Sequence, residues 1–561
     1  MSNYSVLDLL AVTSLDYING TQPVTPMTLS FSRVNGGRSV TSQTLLFRLP
    51  IELVQEVVAY LDIVDLKSLA LVDRDCRQLA RSRLFAGVVL DYSSERWQLL
   101  NELLREVRVR QDNDGVSESP SIGVCIRHLT VRTNPRAMAS YFKIGKYSGR
   151  SLTPEKKEEV IDSYCETYLP AIAQILRSAL PNLDGLEWGD HIAIPQYMFT
   201  AISSSPIRQI GLRNGVLGSG CEYLDPPVEP RQEWALRSLN WWIVPELNYG
   251  RRDWLRMARF CKSFFGEIAP TLERLSCDGR VFPEDYAIRF PRLRTLWLDA
   301  WMMTKDLALE NFFPADAGSC ALRSVAINGP GSNGLCRWKF LARRGHIRGL
   351  EVLNLRSIDA GHRIPMTAFL SANPQLKFLL MSSPKPEFLN TTILPFFASN
   401  LRFLTSLVIT LWSSVIPART LDAIGRISSL TSLWIAAGQC YWIQKWIIDN
   451  PPSIAALSPL RNLTRLALSE GDSANITPKH RRSEFQLADY RATAGPESQR
   501  SWEDWHNERV RKVVEGYVTE VSSLRWVYMG QLVHTVVGGA VVLKSGGMRV
   551  CFPGESWGNP F

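Results

Sequence analysis

The sequence predicts an α/β protein in which a small helical module is followed by an irregular solenoid of parallel strands. Three observations lead there. Residues 45–85 form a dense, apolar, helix-patterned segment; a Leu-x-x-Leu-x-Leu pattern then returns at near-constant intervals; and helix-like stretches separate its copies. The chain has 561 residues, 45% of them hydrophobic, enough to bury a large core.

Residues 1–44, rich in Ser, Thr, Asn and Gly, read as an unstructured leader. In the segment that follows, Pro50 suits the first turn of a helix because its missing N–H has no intrahelical partner there. Leu53, Val57 and Leu61 then recur at i, i+4 and i+8, with Val54 and Val58 widening the stripe. Asp65 and Asp73 stand where they can cap two further helices. Three short helices in so few residues cannot enclose a good core, so their apolar faces call for a covering partner, or for the rest of this chain if the module is only an end cap.

The returning pattern runs from Leu272-Glu-Arg-Leu275-Ser-Cys277 through Leu293–Leu298, Leu322–Ile327, Leu350–Leu355, Leu376–Met381, Leu404–Ile409 and Leu430–Ile435 to Leu463–Leu468. Its first leucines are 21, 29, 28, 26, 28, 26 and 33 residues apart. Weaker copies start at Ile126, Leu183, Ile207, Leu236 and Leu524. In a strand, the fourth and sixth positions of such a unit face inward together while the third and fifth face out. Helix-like stretches such as 154–179, 335–344 and 420–427 require the strands to run parallel. An ordinary α/β domain with Leu-rich strands is the plainer alternative. Residues 86–530 are read as the array, with an insertion near 470–500, and 531–561 as a β-rich cap.

These units resemble the leucine-rich repeat family over about 120–530. The Asn or Cys common after the family's strand is replaced by Trp301, Pro330, Ile358, Pro384, Trp412 and Gly438, which implies uneven curvature. The helical segment, with Leu49-Pro50-Ile-Glu52-Leu53, Tyr60-Leu61-Asp62, Asp65-Leu66 and Leu69-Ala-Leu71-Val72, resembles the F-box. That resemblance implies an adaptor-binding face of Leu49, Pro50, Leu53, Val57, Leu61, Leu66, Leu69 and Val72, docked on a Skp-family protein and through it on a cullin complex. Asp73 and Cys76 stand where the family often has Cys and Trp, which leaves the contribution of the last helix open.

Chemistry-bearing constellations are missing from the sequence. The seven histidines show no metal-like spacing, and the ten cysteines form no C-x-x-C pair, so neither a metal nor a cofactor is expected. Gly329-Pro-Gly331-Ser-Asn-Gly334 imitates a dinucleotide fingerprint, but Pro330 removes one N–H from the turn and Glu351 opens the next strand rather than closing it. The +9 charge is dispersed, which favours solubility and weak attraction to acidic partners over a nucleic-acid groove; neither nucleic acid nor a membrane is expected as partner. Without a signal-like N-terminus or a long apolar run, an intracellular location, cytoplasmic or nuclear, is expected. Outward positions of the array supply the aromatics Trp297, Phe378, Trp434, Trp526 and Tyr528 as candidate contacts to an unknown target protein. The expected function is a non-catalytic substrate receptor of an SCF-type ubiquitin ligase, with a structural interaction scaffold as the alternative.

Overall fold

A computed structural model describes residues 29–91, 93–112, 121–132, 162, 164–189, 194–215, 234–243, 261–279, 288–299, 309, 312–313, 321–328, 334–355, 358, 360–382, 385–411, 417–437, 450–470, 502–529 and 532–543. The chain divides into two compact units, Pro23–Leu293 and Arg294–Phe561. The protein is mixed α/β, with sixteen strands among the described residues, most of them parallel.

The first unit opens with four helices: α1 (Phe31–Val34), α2 (Ile51–Tyr60), α3 (Ile63–Leu69) and α4 (Arg74–Leu84). The expectation of an unstructured leader through residue 44 fails for residues 29–44, because Phe31 and Val34 are buried and Phe31 packs on Phe47 at 5.6 Å between ring centroids. Aromatic burial supplies what the polar composition of the leader concealed.

Strands β1 (Gly87–Leu90), β2 (His128–Val131), β3 (Gly185–Trp188), β4 (Gln209–Gly215), β5 (Ser238–Ile243) and β6 (Arg274–Asp278) follow, each paired parallel with the next. Helices such as Leu169–Ser178 and Gln196–Ser203 provide the return crossings that parallel pairing requires. Leu129, Leu186, Ile210, Leu239 and Leu275 align across five strands, and all are buried. The weak copies of the pattern therefore share one register.

In the second unit β7 (Thr295–Asp299), β8 (Ser324–Asn328), β9 (Val352–Leu355), β10 (Phe378–Ser382), β11 (Ser406–Leu411), β12 (Ser432–Ala437), β13 (Arg465–Glu470) and β14 (Trp526–Met529) pair parallel in chain order. The fourth position of every copy falls on one line, Leu296, Val325, Leu353, Leu379, Leu407, Leu433, Leu466 and Val527. A single-residue slip would turn every one of these side chains to the other face, so the buried leucines pin the register. Two antiparallel strands, β15 (Leu532–Val537) and β16 (Ala540–Leu543), continue from β14. Their turn uses Gly538 and Gly539 at φ of +59° and +84°, a left-handed conformation that residues with a Cβ resist.

Side chains stitch successive units at the turn before the strand. Thr405 Oγ1 donates to the Lys377 carbonyl at 3.2 Å, Thr431 to Thr405 at 3.2 Å and Thr464 to Thr431 at 3.0 Å. Asn373, fully buried, accepts from the Ile347 N–H at 2.9 Å and donates to the carbonyls of Gly345 and Phe369 at 3.0 and 2.8 Å. Asn373 thus pairs buried backbone groups at its turn.

Of the six residues that replace that Asn, only Ile358 lies within the described residues, where it is buried. The core of the glycine-rich motif at 329–333, most of the insertion near 470–500 and the tail beyond 543 fall outside them. Among the described residues, no helix is long and apolar enough to cross a membrane.

Candidate docking surface

The helical module has a core of its own. Phe31, Val54, Val58, Leu66, Leu79 and Ala80 form a buried cluster, and Leu46, Phe47, Ile51, Leu61, Leu69, Ala70 and Leu84 pack around it half-buried. Pro50 precedes α2, and Val54 and Val58 lie one turn apart on its inner face, at 0% and 1% exposure. The opposite face carries Leu53 and Val57, 50% and 45% exposed, and then Tyr60 at 84%. Spacings of four and three residues put Leu53, Val57 and Tyr60 on one stripe.

Two aspartates fix the helices that continue this surface. Asp62 accepts the Val64 and Asp65 N–H groups, both at 2.9 Å, capping α3. Ile63 and Val64 point outward from its first turn and are exposed, while Leu66 turns inward. Asp73 accepts the Cys76 N–H at 2.7 Å and caps α4. Leu71 and Val72, immediately before that cap, are exposed. Arg83 ties the end of α2 to α4 by donating to the Ala59 carbonyl at 2.8 Å, and Arg77 donates to Ala70 at 3.2 Å.

The segment before α2 is strapped to the start of α4. Thr41 and Ser42 donate their N–H groups to Asp75 Oδ2 at 2.6 and 2.8 Å, Thr41 Oγ1 donates to the same oxygen at 3.1 Å, and Ser42 Oγ donates to Asp73 Oδ2. Burial alone would raise the Asp73 pKa, but the bonds from Ser42 and from the Cys76 N–H outweigh it and hold the carboxyl below its usual range. Gln78, buried, donates to the Val34 carbonyl at 2.8 Å, and Gln55 donates to that of Leu29.

The outcome is a concentrated apolar exposure. Of fifteen large hydrophobic residues exposed among the described residues, ten lie between Val40 and Val72. Scattered single exposures are normal on soluble proteins, whereas this concentration makes the segment a candidate interaction surface. Exposed Glu52, Glu56, Asp62 and Asp65 border it together with exposed Arg48, Lys67, Arg74 and Arg77, so its rim is mixed in charge.

Of the eight residues expected on a docking face, Leu49, Pro50, Leu53, Val57 and Val72 are exposed. Leu61 and Leu69 are half-buried against the module core, and Leu66 belongs to that core at 5% exposure, which corrects its assignment. Helix α2 ends at Tyr60, so Leu61 leaves the outer stripe and turns inward. Sequence reasoning missed Leu45, Tyr60, Ile63, Val64 and Leu71. The i, i+4, i+7 spacing of Leu53, Val57 and Tyr60 was the available signal for one of them.

The expectation of five outward aromatics on the array is also corrected. Trp297, Phe378, Trp526 and Tyr528 are buried and Trp434 is half-buried. Their neighbours on the same face, Val352, Leu380, Val408 and Ala467, are buried too. The sheet of the second unit is therefore covered on both faces, as parallel sheets commonly are. Among the described residues, no cluster of three or more His, Cys, Asp or Glu is arranged to hold a metal. Neither the family models nor the curated proteins with which the sequence was compared give a match.

Proposed function

We propose that this chain is a non-catalytic substrate-recognition subunit of an SCF-type E3 ubiquitin ligase. Its helical module docks on a Skp-family adaptor, which links it to a cullin complex, and its repeat array, of the degenerate leucine-rich kind, holds a target protein. One observation carries the reading: the exposed aliphatic surface of residues 45–72, built on helices whose inner face is satisfied by its own small core. A cap that merely sealed the end of a repeat array would bury Leu53 and Val57 on that array, and their exposure favours docking over the scaffold alternative.

The mechanism is proximity. Holding a target near a ubiquitin-charged enzyme raises the effective concentration of its lysines, with no bond made or broken by this chain. The target surface belongs to side chains other than the buried aromatics. The test is recovery of a purified Skp-family adaptor by the full chain, beside a Leu53→Asp, Val57→Asp double variant. Recovery by the wild type alone supports the reading; equal recovery, or none by either, defeats it.

A further inference from the structure

The strap that precedes the docking surface holds two hydroxyls directly on two carboxylates. Thr41 and Ser42 send four donors to Asp73 and Asp75: two backbone N–H groups and both side-chain hydroxyls. Asp75 is buried, whereas Thr41 is exposed and Ser42 half-buried. Residues 38–43 have no regular secondary structure, and Arg38 stands three residues before Thr41. A hydroxyl segment outside helix and strand, exposed at Thr41 and preceded by an arginine, is the chemistry that a kinase with an acidic substrate cleft grips.

We propose that the Thr41–Ser42 pair is a phosphoryl-acceptor site that releases the strap and so weakens the docking surface. In the modification, the hydroxyl oxygen attacks the γ-phosphorus of a nucleoside triphosphate. A new O–P bond forms, the bond from that phosphorus to the β–γ bridging oxygen breaks, the nucleoside diphosphate leaves, and the hydroxyl proton passes to the base of the kinase. The product carries a charge of about −1.5 to −2 and offers acceptors only. The modified residue cannot remake its hydroxyl bond to a carboxylate, which at Ser42 is the bond to Asp73, and it faces the like charges of Asp73 and Asp75. At the first turn of α4 the Cys76 N–H is already taken by Asp73.

The consequence reaches the docking surface from both sides. Leu45 and Leu49 follow the strap, and Leu71 and Val72 immediately precede Asp73, so the carboxylate clamp joins two edges of the exposed patch. Loss of the clamp separates them. This regulatory role rests on the docking reading above, but the release of the strap does not.

The experiment uses the full chain with phosphoserine installed at position 42 by codon suppression, beside Ser42→Ala and beside the phosphoserine chain carrying Asp73→Asn. Hydrogen exchange at the Thr41 and Ser42 amides is read without any adaptor present. The expected result is exchange faster by about tenfold or more in the phosphoserine chain, close to wild type in Ser42→Ala, and partly restored by Asp73→Asn because one repelling charge is gone. Unchanged protection in the phosphoserine chain, or no restoration by Asp73→Asn, overturns the proposal. Incubation of the wild type with Mg-ATP and a basophilic serine/threonine kinase, followed by peptide mass spectrometry, should place phosphate on Thr41 or Ser42; modification confined to other residues overturns the assignment. Titration of a Skp-family adaptor should show affinity lower by about tenfold or more for the phosphoserine chain. Equal affinities of both chains overturn the regulatory role, whereas binding by neither defeats the docking reading and leaves the exchange result to judge the strap.

Discussion

Helix α2 presents two faces whose truncation should have unequal consequences for the fold. Val58 is buried at 1% exposure in the module core, whereas Leu53 stands 50% exposed. Val58→Ala removes two fully buried carbons, worth about 0.8 kcal/mol each in transfer, and leaves a cavity besides, so the expected loss is about 2–3 kcal/mol. Leu53→Ala removes three carbons that are only half shielded in the free chain, and alanine is at least as good a helix former, so the loss should stay below about 1 kcal/mol. The difference, about 2 kcal/mol, is roughly thirtyfold in the constant for local opening. A chain of two compact units does not unfold in one step, so the assay is native-state hydrogen exchange of the amides of α2 and α4 in the intact protein. Val58→Ala should accelerate those amides by that factor over Leu53→Ala. Equal acceleration by the two variants would mean that the outer stripe is as packed as the inner one, and the docking surface would have no basis.

Three further outcomes follow from the structure. Asn373→Ala should loosen the helix Arg363–Ala372 and the turn at Gly345–Ile347 by about 2–4 kcal/mol, because it strands several buried backbone groups at once; exchange rates there that match wild type would contradict it. Burial pushes the Cys125 thiol up to about 12, and burial with the Asp73 charge pushes Cys76 to about 11, so neither should react with a neutral maleimide at pH 8 until the chain is denatured; labelling at the rate of a free thiol would contradict their burial. The depressed pKa of Asp73 gives a stabilisation present above the unfolded value of about 3.9 and lost as pH falls through the lower folded value. Protection of the Cys76 amide, which donates to Asp73, corrected for intrinsic rates, should hold from pH 7 to 5 and decline only below about pH 4; decline between 7 and 5 would refute the Asp73 half of the carboxylate clamp.

The strand register was legible because the repeat carries it. Leu404-Thr-Ser-Leu407, Leu430-Thr-Ser-Leu433 and Leu463-Thr-Arg-Leu466 place leucine at the same offset each time, and those offsets pair across β11, β12 and β13. The threonine within each copy then bonds to the carbonyl of the copy before it, a role that local pattern does not announce. Coverage of the other sheet face was not legible. Alternation tells which side chains share a face, but not whether that face is covered. In the helical module the pattern located the amphipathic helix, yet assigning its faces required knowing where α2 ends. Termination at Tyr60 sends Leu61 inward, and the Asp62 cap then lifts Ile63 and Val64 outward. Phe31 was hidden by the polar residues around it, although it completes the core on which the outer surface is mounted.

Calorimetric titration of a purified Skp-family adaptor into the full chain tests the central claim most directly. Burial of the outer aliphatic stripe predicts saturable binding with a negative heat-capacity change, and affinity reduced by about a hundredfold or more in the Leu53→Asp, Val57→Asp variant, because two carboxylates would have to be desolvated in place of two apolar side chains. Binding by neither chain, or the same affinity for both, would contradict it.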